Sequence, residues 1–63
     1  MSNKSKWEPY VGRKIRINTM IDEPNYTGKE GVIECVDDWG QLHGTWGHLA
    51  VQPERDVFEF MEH

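Results

Sequence analysis

The sequence predicts a small all-β fold, and three observations support this. The chain has 63 residues, so it holds one domain at most. Six glycines and three prolines divide it into short pieces, and none of these shows a long run with the 3.6-residue hydrophobic period of a helix. Apolar residues instead alternate with polar ones over short runs, which is the two-residue period of half-buried strands.

The first ten residues are interpreted as an N-terminal arm that precedes a folded domain at residues 11–63. Pro9 disfavours regular structure in the arm. Two aromatic residues, Trp7 and Tyr10, are expected to tie the arm down by packing over the open end of the core.

The first strand is predicted at about residues 13–19. Ile15 and Ile17 alternate with polar residues, so they are expected to face the core. Arg13, Lys14 and Arg16 then form a short basic stripe near solvent.

A long polar loop is predicted over residues 20–29. It contains turn formers such as Gly28. Asp22 and Glu23 make it acidic, and Tyr26 lies in its middle.

The second and third strands are predicted at residues 31–36 and 41–46, joined by an Asp- and Gly-containing turn at residues 37–40. Cys35 is expected on the core face of the second strand. Gly44, in the third strand, indicates a bulge, a bend or a close approach of backbone.

The remaining elements are a short fourth strand at residues 48–52, one 3-10 turn at residues 53–56 and a last strand at residues 57–61. Proline suits the first position of the turn. A helix is the alternative for the last segment, but it would leave Phe58 off the apolar stripe.

This order is that of a five-stranded SH3-like barrel with one short 3-10 turn before the last strand. The predicted core consists of the inward residues of the strands, flanked by Val11 and Val36. These inward residues are Ile15, Ile17, Ile33, Cys35, Leu42, Trp46, Leu49, Val51, Phe58 and Phe60.

A resemblance to a known family is carried by the segments VGRKIRINTM, TGKEGVIECVDDWGQLHGTW, HLAV and RDVFEF. Together they resemble the short bacterial and phage proteins grouped as domain of unknown function 4314, over residues 11–60. The chain departs from that family's pattern at Gly44, where the family has an apolar residue, and at Gly47-His48, where the family has a longer hairpin. The resemblance implies an SH3-like barrel and no assigned activity, so it assigns no functional residue. The matching positions are Gly12, Met20, Gly28, Gly31, Asp37, Asp38, Gly40, Trp46, Leu49, Val51, Asp56 and Phe58.

Charge and hydropathy exclude several classes of protein. The chain has no apolar run of the roughly 20 residues that a membrane span needs, and its first ten residues have no apolar stretch typical of a secretion signal. We therefore expect a cytoplasmic protein. Since phosphate contacts dominate nucleic-acid affinity, the net charge of −4 disfavours nucleic acid. The alternative that stays open is weak single-stranded binding through Arg13, Lys14, Arg16 and nearby aromatic rings.

Catalytic and metal-binding patterns find little support. Cys35 is expected to be buried as a small hydrophobic residue, and His43 and His48 have no evident orienting group. The His and Cys positions lack the paired spacing of zinc sites, and Asp37 with Asp38 supplies too few oxygens for calcium. The sequence therefore predicts no enzyme, no metal and no cofactor.

Protein or peptide binding is the favoured function. In an SH3-like barrel the two acidic loops flank one groove, and an exposed aromatic residue between them would hold a basic or proline-containing segment. The alternative is that Trp39 folds back over Val36 or Leu42. We thus expect a monomeric or weakly dimeric module, encoded by a bacterium or phage, with a basic protein or peptide as partner. The predicted partner-binding residues are Trp39, Asp37, Asp38, Asp22, Glu23 and Tyr26.

Overall fold

The computed structural model describes residues 4–61, whose strands form one antiparallel sheet. Two helical turns come first, α1 at Lys4–Trp7 and a 3-10 turn at Glu8–Tyr10. The strands are β1 (Lys14–Thr19), β2 (Glu30–Val36), β3 (Leu42–Gly44) and β4 (Val57–Phe60), with a 3-10 turn at Pro24–Tyr26 between β1 and β2. Their order across the sheet is β3-β2-β1-β4. The all-β prediction is confirmed. Among the described residues, however, the sheet has four strands and stays open, so a closed five-stranded barrel is not observed.

The expected fourth strand is reduced to one isolated bridge. Val51 and Leu42 exchange two backbone hydrogen bonds of 2.8 Å. The indole nitrogen of Trp46 donates to the carbonyl of Leu49 at 2.8 Å. Leu49 also lies exposed, which corrects its assignment to the core.

The centre of the sheet matches the predicted alternation. Ile15 and Ile17 are fully buried on β1, which pairs with β2 on one side and β4 on the other. In β4, Phe58 and Phe60 are the register partners of Ile17 and Ile15. The strand interpretation of this last segment is therefore confirmed over the helix.

The core differs from the predicted one at several positions. Cys35 and Val11 are exposed, whereas Met20, which was not predicted, is buried. Phe58 and Phe60 are half-buried and pack against the core. The buried apolar side chains are Ile15, Ile17, Met20, Ile33, Val36, Leu42, Trp46 and Val51.

A register shift explains the exposure of Cys35. The pairing of β2 with β3 shifts between Ile33 and Cys35. An extra residue in one strand of an antiparallel pair reverses the alternation of faces beyond it. Ile33 and Val36 are therefore both buried, although they are three positions apart, and Cys35 faces solvent.

Two glycines make room for Trp46. A Cβ atom on Gly31 would lie 2.6 Å from the backbone nitrogen of Trp46, and one on Gly44 would overlap its ring and the carbonyl of Val32. The close approach predicted at Gly44 is therefore the packing of the Trp46 indole, which is buried beneath the bend.

The helical turns at residues 4–10 pack on the last strand. The Trp7 ring meets Phe58 edge to face at 5.8 Å, and the Tyr10 ring stacks on Phe60 at 4.9 Å. Both side chains pack against the core, as the sequence predicts. Aromatic pairs of this kind add to the stabilisation from apolar burial. The first three residues of the predicted arm lie outside the described residues.

The segment that leads into β4 is held by a buried carboxylate. The backbone N–H groups of Arg55 and Asp56 both donate to the carbonyl of Gln52, at 2.9 and 2.7 Å, which closes the predicted turn. Asp56 is 7 % exposed. Its Oδ1 accepts from the Ile21 amide at 2.9 Å and its Oδ2 from the Gln52 amide at 2.8 Å. Asp56 thereby links the loop after β1 to the turn before β4.

Candidate functional site

Two adjoining cavities form a groove beside the turn between β2 and β3. The first has a volume of about 230 Å³ and the second about 160 Å³. Gln41 and Gln52 line both cavities, which therefore lie side by side and are here together called the Trp39 groove. The first cavity also contains Trp7, Trp39, Pro53 and Arg55, and the second contains Met20, Asp22, Leu49 and Asp56.

Trp39 stands out from the surface at the edge of this groove. Its exposed fraction is 80 %, which decides between the two interpretations of this residue: it does not fold back over the core. The turn that carries it is closed by two backbone hydrogen bonds, from Gly40 N–H to the Asp37 carbonyl at 2.9 Å and from Asp37 N–H to the Gln41 carbonyl at 3.0 Å. The backbone beneath the indole is therefore fixed.

Asp37 holds this turn together with its side chain. Its Oδ1 accepts from the amides of Trp39 and Gln41, both at 2.9 Å, and its Oδ2 lies 2.9 Å from Nε2 of His43. Burial acts to raise the pKa of Asp37, but the hydrogen bonds from His43 and the two amides outweigh it, so the pKa lies below its usual value. Asp37 is thus engaged within the chain, and His43, expected to lack an orienting group, has one.

Of the other acidic residues of the two loops, Asp22 lines the groove and Asp38 does not. Asp38 is exposed, and its Oδ1 is 3.7 Å from Nζ of Lys4. Asp22 lines the second cavity and contacts Arg55 and Gln52, which line the first. The structure therefore brings Asp22 from the long loop to the same groove as Trp39.

Four of the six predicted site residues line neither cavity: Asp37 and Asp38, described above, and Glu23 and Tyr26. The ring of Tyr26 packs against the core and against Gly47, and its hydroxyl accepts from the amide of His48 at 3.3 Å. The backbone of Glu23 closes the loop, accepting from the Tyr26 amide and donating to the Met20 carbonyl. Tyr26 thus supports the loop structure rather than the groove.

Trp39 and Asp22 are the predicted site residues that line the groove, and those that were missed include Trp7, Pro53, Arg55 and Gln52. Trp7 was expected in the arm, and Pro53 and Arg55 were expected in a helical turn. These residues were therefore given structural roles and not binding roles. A pattern within either segment could not show that the two meet, because the contact depends on how the arm crosses the sheet.

The basic stripe of β1 is largely matched by carboxylates. Nζ of Lys14 and Nε of Arg16 lie 3.7 and 3.8 Å from the carboxylate oxygens of Glu30. The guanidinium of Arg13 lies 4.9 Å from the centre of the Phe60 ring. Nearby negative charge lowers the positive potential that a phosphate backbone would meet.

Within residues 4–61, no three His, Cys, Asp or Glu side chains are grouped so as to hold a metal ion. In the part of the chain that the structure describes, no helix has the length and apolar character needed to cross a membrane.

Comparison with other proteins gives no relative for this chain. No family model matches it, and no significant match was found among curated proteins or solved structures. The resemblance to domain of unknown function 4314 stays a prediction.

Proposed function

We propose that this chain is a non-enzymatic binding module that holds a basic protein or peptide segment in the Trp39 groove. The observation that carries the proposal is an indole 80 % exposed beside a cavity of about 230 Å³. Tryptophan is enriched among the residues that contribute most to binding energy at protein interfaces. Burying this ring against a partner would remove a large apolar surface from water.

The rigidity of the turn favours this role. The backbone of residues 37–41 is held by the two turn hydrogen bonds and by the two that Asp37 accepts with its side chain. An anchor that is already fixed loses little conformational entropy when it binds. Asp37 therefore contributes to binding by positioning Trp39.

The groove has the chemistry to accept a basic segment. Trp39, Trp7 and Pro53 supply flat apolar surfaces, and an indole face attracts ammonium and guanidinium groups. Glu54 lines the first cavity and Asp22 the second. A partner that combines apolar or proline residues with positive charge would match both properties.

Nucleic acid fits these observations less well. Arg16 lies near two carboxylates, Glu30 at 3.8 Å and Glu59 at 3.7 Å, and the chain carries a net charge of −4. Binding to phosphates would weaken steeply as salt concentration rises. Affinity for single-stranded DNA measured across a salt series therefore distinguishes this alternative.

A peptide-display experiment tests the proposal. Random peptides are selected on the wild-type chain, and their affinities are compared for Trp39→Ala and for the control Val57→Ala. Val57 is also exposed but lies outside both cavities. We expect peptides rich in Lys and Arg, with a loss of about 2 kcal/mol, or about 30-fold, for Trp39→Ala and little change for the control.

Either of two results would show the proposal to be wrong. One is that no selected peptide depends on Trp39 although circular dichroism shows that the variant is folded. The other is that Val57→Ala weakens binding as much as Trp39→Ala, because the binding surface would then lie elsewhere.

A further inference from the structure

A group of hydrogen-bonded polar side chains links the linings of the two cavities of the Trp39 groove. Nη2 of Arg55 lies 3.3 Å from Oδ1 of Asp22, and Nη1 of Arg55 lies 3.3 Å from Oε1 of Gln52. Nε2 of Gln52 lies 3.4 Å from Oδ2 of Asp22. Arg55 lines the first cavity, Asp22 the second and Gln52 both. These three side chains are called the Asp22 bridge.

The contacts of the Asp22 bridge are weak. Its donor–acceptor distances are longer than the usual 2.7–3.2 Å of such bonds, and the Arg55 and Asp22 side chains are 52 % and 60 % exposed. An exposed ion pair of this kind changes an equilibrium by no more than about fivefold. Arg55 can therefore leave Asp22 at little cost.

The second carboxylate of the same cavity is held differently. Asp56 is buried and accepts two backbone hydrogen bonds, of 2.9 and 2.8 Å, from Ile21 and Gln52. Its oxygens are engaged in holding the fold. Of these two carboxylates, Asp22 is the one that can exchange its present partner for another.

The arrangement is that of a guanidinium site occupied by the chain's own arginine. Two acceptors, Oδ1 of Asp22 and Oε1 of Gln52, receive the two terminal nitrogens of Arg55. A guanidinium is a planar fork that can address two acceptors at once, whereas the ammonium of lysine is a point donor.

We propose that Asp22 and Gln52 select an arginine side chain of the bound segment, and that Arg55 occupies their site until the partner displaces it. This inference rests on the proposed function, since the segment is the one whose apolar part contacts Trp39. The partner's arginine enters where the cavities meet, and Arg55 swings out to solvent. Because Arg55 competes for the same acceptors, the free chain binds more weakly than it would without that side chain.

The test uses a selected peptide that contains arginine and binds in a Trp39-dependent manner. Its affinity is measured by fluorescence anisotropy at constant ionic strength for the wild type, Arg55→Gln, Asp22→Asn and the double variant. Arg55→Gln is expected to tighten binding about two- to fivefold, because it removes the competitor. Asp22→Asn should weaken binding, and the gain from Arg55→Gln should vanish when Asp22 is also replaced.

Two controls separate this mechanism from a general effect of charge. Lys14→Gln also removes the cation of an exposed ion pair, with Glu30 on β2, and should change the affinity less than Arg55→Gln. A peptide with lysine in place of arginine should bind more weakly to Arg55→Gln and should lose most of the gain. Circular dichroism checks that each variant is folded.

The results distinguish a failure of this inference from a failure of the proposed function. If Trp39→Ala abolishes binding but Arg55→Gln leaves it unchanged or weaker, the inference is wrong while the proposed function stands. An equal gain from Lys14→Gln, or an equal gain with the lysine peptide, also overturns the inference. If no peptide depends on Trp39, the proposed function fails and the inference fails with it.

Discussion

Replacing Asp56 by alanine is expected to remove about a third or more of the free energy of unfolding of this domain. The carboxylate accepts one hydrogen bond from the Ile21 amide and one from the Gln52 amide. Hydrogen bonds to a charged group contribute about 1.5–3 kcal/mol each. Because neither Ile21 nor Gln52 is fully buried, water can reach both residues after the change, so the lower value applies. The two bonds together then contribute about 3 kcal/mol.

This loss is large for a chain of 63 residues. At about 0.05–0.15 kcal/mol per residue, its whole free energy of unfolding is about 3–9 kcal/mol. Urea unfolding followed by circular dichroism measures the change, and a slope near 1 kcal/mol per molar urea places the midpoint about 3 M lower.

Asp38→Ala is the matched control for Asp56→Ala. Asp38 is 89 % exposed and contacts Lys4 at 3.7 Å, so its loss should cost less than about 1 kcal/mol. If Asp56→Ala loses no more stability than Asp38→Ala, the carboxylate does not link the two segments in the way described.

Three further predictions concern the turn and the strands. Burial acts to raise the pKa of Asp37, but its hydrogen bonds outweigh this effect and hold the pKa below its usual value. The contribution of Asp37 to stability is therefore present above its unfolded pKa of 3.8 and is lost as the pH falls through the lowered pKa of the folded state. In urea unfolding from about pH 6 to pH 3, Asp37→Asn should lose less stability on acidification than the wild type, and an unchanged acid profile would contradict this. Gly44→Ala should lower the free energy of unfolding by about 1–3 kcal/mol, because the new methyl group meets Trp46, and a melting temperature equal to that of the wild type would refute the close packing. Cys35 is exposed, so it should react with a thiol reagent in the folded protein, and Cys35→Ser should change stability by less than about 0.5 kcal/mol; protection of the thiol until unfolding would disprove this.

The sequence predicts the parts of the fold that depend on local alternation. Ile15 and Ile17 are buried on β1 as expected. Cys35 shows where alternation fails, since the register shift after Ile33 reverses the faces of β2, and a two-residue period contains no sign of such a shift. Met20 was missed because it follows β1 in a loop. The path of this loop depends on the hydrogen bond from Ile21 to Asp56 and not on strand alternation.

The candidate site was predictable in part. The turn residues at positions 37–40 placed Trp39 in a loop, but whether its ring lies on the core or in solvent depends on the packing around it. Asp37 was predicted to bind a partner, and its hydrogen bond with His43 was missed because His43 lies six positions further along the chain. Trp7 and Pro53 contribute to the groove because two distant segments of the chain lie side by side. No local sequence pattern shows such a contact.

The position of β1 in the middle of the sheet has a consequence for how the chain folds. β1 and β2 are close in sequence and can pair first as a hairpin, but Ile15 also pairs with Phe60, which lies far along the chain. Until Val57–Phe60 pair with β1, one edge of β1 is open, and an open edge invites pairing with other chains. Contacts between distant positions also slow folding. A product that stops short of residue 57 should therefore aggregate rather than fold, because nothing then covers that edge of β1.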